Sequence, residues 1–255
     1  MYKHFIVISS SYSDGKRIAF HQAMDDNSSF EPSDIIKNIQ SECGEDVSIA
    51  VHFLETESSE WISVVQKDPF FKDIEVIYSV SDFIDKIKKD RVLNGLDVAK
   101  YILSKVKCTT HLKLEKLTYL CYADYLCYHN KKLFEDKIYA FQFGPVVESV
   151  YEKFKYKGSR ILNDDKNKNT EIDTDINICI PDIPSRSRIL FAYDGADKLS
   201  SVDETLSKYG SLSAMELVNL AHGKNTPWSF ADSDVPYELI GDDLIKKYHR
   251  NEKNL

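Results

Sequence analysis

The chain has 255 residues, with 33 Lys and Arg against 41 Asp and Glu, for a formal net charge of -8. This length suits one large domain or two small ones and can bury a core. The acid excess argues against a broad nucleic-acid surface, because phosphate binding needs clustered Lys and Arg. No apolar run approaches the roughly 20 residues that span a bilayer, and the N-terminus reads as a first strand, not a signal peptide. A cytoplasmic protein with no membrane partner is the expectation.

Phe5 to Ser10 is apolar and β-branched and predicts a strand. Asp14-Gly15 signals a turn, and Arg17 to Met24 predicts a second strand that closes a hairpin. A short helix follows from Asp34 to Gln40, a strand from Val47 to Leu54, and a helix from Ser59 to Lys67. A fourth strand is read at Ile74 to Ser79 and a helix at Ser81 to Lys89. The order β-β-α-β-α-β-α suggests a small α+β or α/β domain over residues 1–91. The charged run Lys88-Lys89-Asp90-Arg91 marks the expected boundary, and residues 92–255 read as a mainly helical domain.

Leu96 to Val106 predicts the first helix of that second part. Leu112 to His129 predicts its central one, since apolar residues cover most of its circumference. Lys113, Lys116 and Asp124 leave a narrow polar stripe, read as a solvated edge or a contact surface. Asn130 is suited to end the helix in the left-handed region. Ile138 to Phe143 reads as an extended piece stopped by Gly144-Pro145. Pro145 fits the first turn of a helix that would carry Val146, Val147, Val150, Tyr151 and Phe154 inward. Asn163 to Thr170 is a polar loop, and Ile172 to Ile180 alternates like a strand. Helices are expected from Ala196 to Tyr209, from Ala214 to His222 behind a Ser213/Glu216 capping box, and from Pro236 to Tyr248.

No chemistry is legible. Cys43, Cys108, Cys121, Cys127 and Cys179 form no Cys-x-x-Cys pair, so neither a disulfide framework nor a zinc site is expected. Cys121 lies mid-helix, not at an activating helix N-terminus, which argues against a Cys-His hydrolase. The acidic pairs Asp25-Asp26 and Asp242-Asp243 read as solvated faces. No metal and no cofactor is predicted. Tyr119, Tyr122, Phe141, Phe143 and Tyr151 are core candidates, some of which would line a groove.

The segment KLEKLTYLCYADYL…KLFEDKIYAFQFGPVVESVYEKFK, followed by VDETLSKYGSLSAMELVNLAHGKNTPW, resembles the Panacea domain, the antitoxin domain related to SocA. The likeness runs from about Leu93 to about Ala231. Glu115 departs from it, since the family usually has Gln there. The resemblance makes Gly144, Pro145, His222, Pro227 and Trp228 the structural motif. It implies a non-enzymatic antitoxin of a toxin–antitoxin system, of the kind found in prophages and bacterial defence. The partner would be a cognate protein toxin, encoded by an adjacent gene and bound directly. Lys113, Lys116, Tyr119, Tyr122, Phe143 and Tyr151 become the candidate partner-binding residues. The region before Leu93 matches no family we recognise and is the natural place for toxin-specific contacts. The alternatives are an adaptor that delivers the toxin to a protease, and an enzyme with its site in the N-terminal domain, which shows no Gly-rich loop, metal cluster or triad spacing and has only His4, His21 and His52 as histidines.

Overall fold

The computed structural model describes residues 1–24, 31–162, 184–231 and 237–252. The acidic pair Asp25-Asp26, the polar stretch from Asn163, the expected strand ending at Ile180, and Cys179 lie outside the described residues. The described chain divides into two compact units, one ending at Arg91 and the next starting at Val92. Together they have the α+β composition expected, with the long strands first and the helices after.

Unit 1 is a four-stranded sheet in the order β3-β1-β2-β4. Strands β1 (Tyr2–Ser11) and β2 (Lys16–Met24) form an antiparallel hairpin with Val7 opposite Phe20. Strand β3 (Ala50–Thr56) pairs antiparallel with the other edge of β1, and β4 (Glu75–Ile77) pairs parallel with β2. Side chains alternate across a strand, and here both faces are covered. Phe5, Val7, Ile18 and Phe20 pack on one side against helices α1 (Pro32–Cys43) and α3 (Val80–Asp90). Ile6, Ile8 and Ala19 pack on the other against Val64 of α2 (Trp61–Lys67), Phe71 and Ile74. That double burial is why the start of β1 reads as a nearly continuous apolar run. Asp90 closes the hairpin by accepting the Tyr12 and Ser13 N–H groups at 2.9 and 2.7 Å.

Unit 2 is built round helix α5 (His111–His129). Helix α4 (Gly95–Lys105) precedes it, opened by an Asn94/Asp97 capping box. The Thr110 side chain accepts the Lys113 N–H and starts α5; Asn130, at φ 55°, ends it in the left-handed region. Every residue from Leu114 to Leu126 is buried. Helices α8 (Gly195–Tyr209), α9 (Ala214–Ala221) and α10 (Asp242–Glu252) pack against α5 together with α4. The capping box at Ser213/Glu216 opens α9. Helix α7 (Ser185–Leu190) has no counterpart among the predicted elements.

Two predictions in this unit are corrected. The helix expected from Pro145 begins at Glu148, as α6 (Glu148–Phe154). Gly144 to Val147 is instead strand β6 (Gly144–Val147), antiparallel to β5 (Ile138–Phe141) with Ile138 opposite Val147. The β-branched pair Val146-Val147 prefers that pleated surface. The tail helix begins at Asp242, not at Pro236. Glu238 to Ile240 is extended and lines the free edge of β5: Ala140 N–H donates to Glu238 O and Ile240 N–H to Ile138 O, both at 2.8 Å.

Candidate functional site

Strands of four residues form a hairpin that is marginal in isolation, so what holds β5 and β6 decides what this region is. The answer lies in side chains distant in sequence. On α5, the Lys116 ammonium donates to Pro145 O at 2.5 Å. Beside it, Glu115 Oε2 accepts the Val147 N–H at 3.1 Å. Its other oxygen meets His111 Nε2, also at 3.1 Å. Pro145 has no N–H to give, so its carbonyl is the group that the lysine anchors.

The turn between the strands is clamped from the other side. His222, just past α9, donates through Nε2 to Gln142 O at 3.1 Å. Trp228 donates through Nε1 to Phe141 O at 2.8 Å. The two rings stack with centroids 3.4 Å apart, and buried Pro227 sets the entry to the short 3-10 turn that carries Trp228. Gly144 adopts φ +98°, where an L side chain is strained. A Cβ there would sit 3.3 Å from Lys116 Nζ. Four side chains from three sequence regions thus converge on the backbone of one hairpin.

Burial sets the electrostatics. Lys116 is fully buried, and desolvation pulls its pKa down to about 7 against the opposing pull of Glu115. Desolvation pushes Glu115 above the usual carboxylate range, opposed by His111, Lys116 and the Val147 N–H. Lys116 is therefore not on a solvated stripe: that reading is corrected, because its partner is a carbonyl 29 residues away. Asp124 is also inside, accepting from Thr205 Oγ1 at 3.0 Å and bonded to buried His249 at 2.8 Å. Tyr119 and Tyr122 are core residues, not groove walls. The Tyr122 hydroxyl donates to Asp242 at 2.7 Å, tying α5 to α10.

Of the remaining candidates, Lys113 is partly exposed, Tyr151 half-buried, and Phe143 at the hairpin turn 55% exposed. Phe141 is among the aromatic candidates, but the sequence reading misses Tyr237, Leu239 and Tyr156. Phe141 contacts Tyr151 at 4.7 Å and Tyr237 at 4.5 Å. Tyr237 and Leu239 are 63% and 52% exposed. The Lys155 ammonium lies over both Tyr151 and Tyr156. A row of rings therefore runs along the hairpin and the strand-like tail. The one local signal for Tyr237 and Leu239 is their i, i+2 spacing around Glu238, in a stretch the sequence assigns to a helix.

Burial raises the Cys121 thiol well above its ordinary range, the reverse of an activated nucleophile. Among the described residues no group of three His, Cys, Asp or Glu could hold a metal ion, and no described helix is long and apolar enough to cross a membrane. In unit 1, His4 and His21 share a hydrogen bond of 2.8 Å inside the sheet, and burial lowers His21 to about 4. His52 packs against Phe70 and Phe71.

Unit 2 is thus a helical domain whose central buried helix grips a small hairpin. Residues 114–229 match the family described as Antitoxin SocA-like, Panacea domain, the family to which the motif pointed. The match covers the clamp from Glu115 to Trp228, and the sheet-bearing stretch Met1–Arg91 lies before it. Neither the curated proteins nor the solved structures provide a match.

Proposed function

We propose that this protein is an antitoxin that neutralises a cognate protein toxin by direct binding, with the ring-lined face of the β5–β6 hairpin as a principal contact. The observation that carries the antitoxin reading is the family match over residues 114–229. The contact surface rests on chemistry: Phe143, Tyr237 and Leu239 are large and exposed together with the half-buried Phe141 and Tyr151. Tyrosine-rich surfaces supply interface hot spots at low entropic cost. The clamp beneath holds the backbone in place, so binding would not have to order it.

The test is co-expression with the product of the adjacent gene. That product is expected to arrest growth alone, to be harmless beside this protein, and to co-purify with it. Replacing Phe143 and Tyr237 by Ser should weaken the complex by roughly 30-fold, one hot spot's worth, with the melting temperature unchanged. Toxin that disappears instead of accumulating in a complex would favour the proteolytic adaptor. A harmless neighbour and no co-purifying protein would end the antitoxin reading.

A further inference from the structure

The α4–α5 connection and the end of α8 border an open cavity of about 660 Å3. Lys105, Lys107 and Lys113 line it, together with the exposed Cys108, Ser211 and Asp203. We propose that this cavity is a binding site for a small ligand bearing two or more phosphates. The proposal does not depend on the antitoxin reading.

Asp203 is the one acidic residue in the lining. Its Oδ1 already accepts the Tyr101 hydroxyl at 2.6 Å, and Arg186 lies beside that same hydroxyl. Three ammonium groups therefore face a single engaged carboxylate, in a chain whose formal charge is -8. No salt bridge to these lysines forms among the described residues. Lys105 stands 5.4 Å over the Tyr101 ring, and Lys113 has Glu216 as an acidic neighbour. The Glu216 carboxylate is itself held by the Ser213 N–H at 2.7 Å.

Lys105 and Lys107 lie at and just past the C-terminal end of α4, where a cation complements the helix dipole. Local structure accounts for those two. Lys113 is the third residue of the 19-residue α5, at the positive end of that dipole, and the first turn of α5 holds no acid to offset it. Lys113 is therefore unfavourable for its own helix, and its acidic neighbour, Glu216, comes from another element.

Size and shape select the ligand. The volume lies in the range of about 300–1,000 Å3 typical of small-molecule sites. A lysine ammonium is a compact point charge that serves phosphate oxygens well. Three cations round one concavity suit charges concentrated on a di- or triphosphate. An extended acidic peptide spreads its carboxylates along a strand at about 3.4 Å per residue.

Cys108 is the built-in reporter, because it is exposed in the lining while Cys43 and Cys121 are buried. The experiment follows iodoacetamide alkylation of Cys108 in the full-length protein by mass spectrometry, with sodium tripolyphosphate as the probe. At low ionic strength the probe is expected to slow alkylation, and added salt should relieve the protection as it screens the charges. Lys107→Gln and Lys113→Gln should each weaken apparent binding by roughly three- to fivefold. Both side chains are at least partly exposed, and a circular-dichroism melt checks that each variant is folded. Protection that survives intact in the folded double variant would overturn the site. Absence of protection in the wild-type chain would overturn the proposal outright. Protection by a polyglutamate peptide but not by tripolyphosphate would overturn it in favour of an acidic protein segment.

Discussion

The two sheets among the described residues are held in opposite ways. The four-stranded sheet of unit 1 is stabilised across its faces, with apolar side chains from β1 and β2 buried on both sides. The β5–β6 hairpin has only four residues per strand and is held by its backbone. Lys116, Glu115, His222 and Trp228 each bond a main-chain group of it directly. Hydrophobic burial is non-directional and tolerates exchange of one apolar residue for another. Hydrogen bonds to particular carbonyl and N–H groups fix a geometry and demand particular side chains. The recognisable signature falls on the second kind of sheet and not on the first.

The contrast can be broken most forcefully in unit 1. Phe5 is wholly buried and packs edge-on to Phe20. Phe5→Ala should cost about 3–5 kcal/mol through lost burial and the cavity left behind, read from urea denaturation. Phe5→Leu should recover most of that, as befits a sheet held by apolar volume.

A smaller loss is expected at the hairpin, and with no conservative rescue. Gly144→Val puts a β-branched residue at φ +98° with its Cβ against the Lys116 ammonium. About 1–3 kcal/mol of strain follows, and Gly144→Ala should fail to restore the melting temperature. An unchanged midpoint in either variant would show that the turn does not need its glycine.

The smallest effect is a slope and not a level. Unfolded, Lys116 keeps its proton up to about pH 10.5; folded, it releases it near 7. Between those values the unfolded chain binds more protons, so this residue makes stability rise with pH. Lys116→Met removes the titrating group. The stability difference between wild type and variant, measured by urea denaturation at steps from about pH 7 to about pH 9, should therefore move in favour of wild type as pH rises. A constant difference would mean that the ammonium stays charged inside the fold.

Legibility followed the range of the interactions. The Asn130 terminus of α5 and the Ser213/Glu216 box are decided within a few residues, and the sequence displays both. Glu115 and Lys116 were read on their helix alone, where Lys116 shares a side with Lys113. What buries Lys116 is an acceptor 29 residues on, which no helical spacing encodes. The assignment of Val146 and Val147 to a helix failed for the same reason. A Pro followed by two valines and a helical tail fits a helix start, until β5 and α5 claim the backbone of Val147. Tyr237 to Ile240 was given to a helix because its partner strand, β5, lies a hundred residues earlier.

The seam between the units has a consequence for how such a protein is assembled over evolutionary time. Asp90 supplies the carboxylate for the Tyr12 and Ser13 amides, while Arg91 donates to Cys43 O at 2.6 Å and pairs with Asp46 at 2.7 Å. Asp90 and Arg91 are therefore fastenings of the first hairpin of unit 1 and of the end of α1. A gene crossover that joined a new leading module upstream of Asp90 would strand those fastenings on the wrong protein. A crossover after Arg91 would carry them with the sheet they hold. Wherever leading modules have been traded on a helical unit of this kind, the scar belongs between Arg91 and Asn94, ahead of the cap that opens α4.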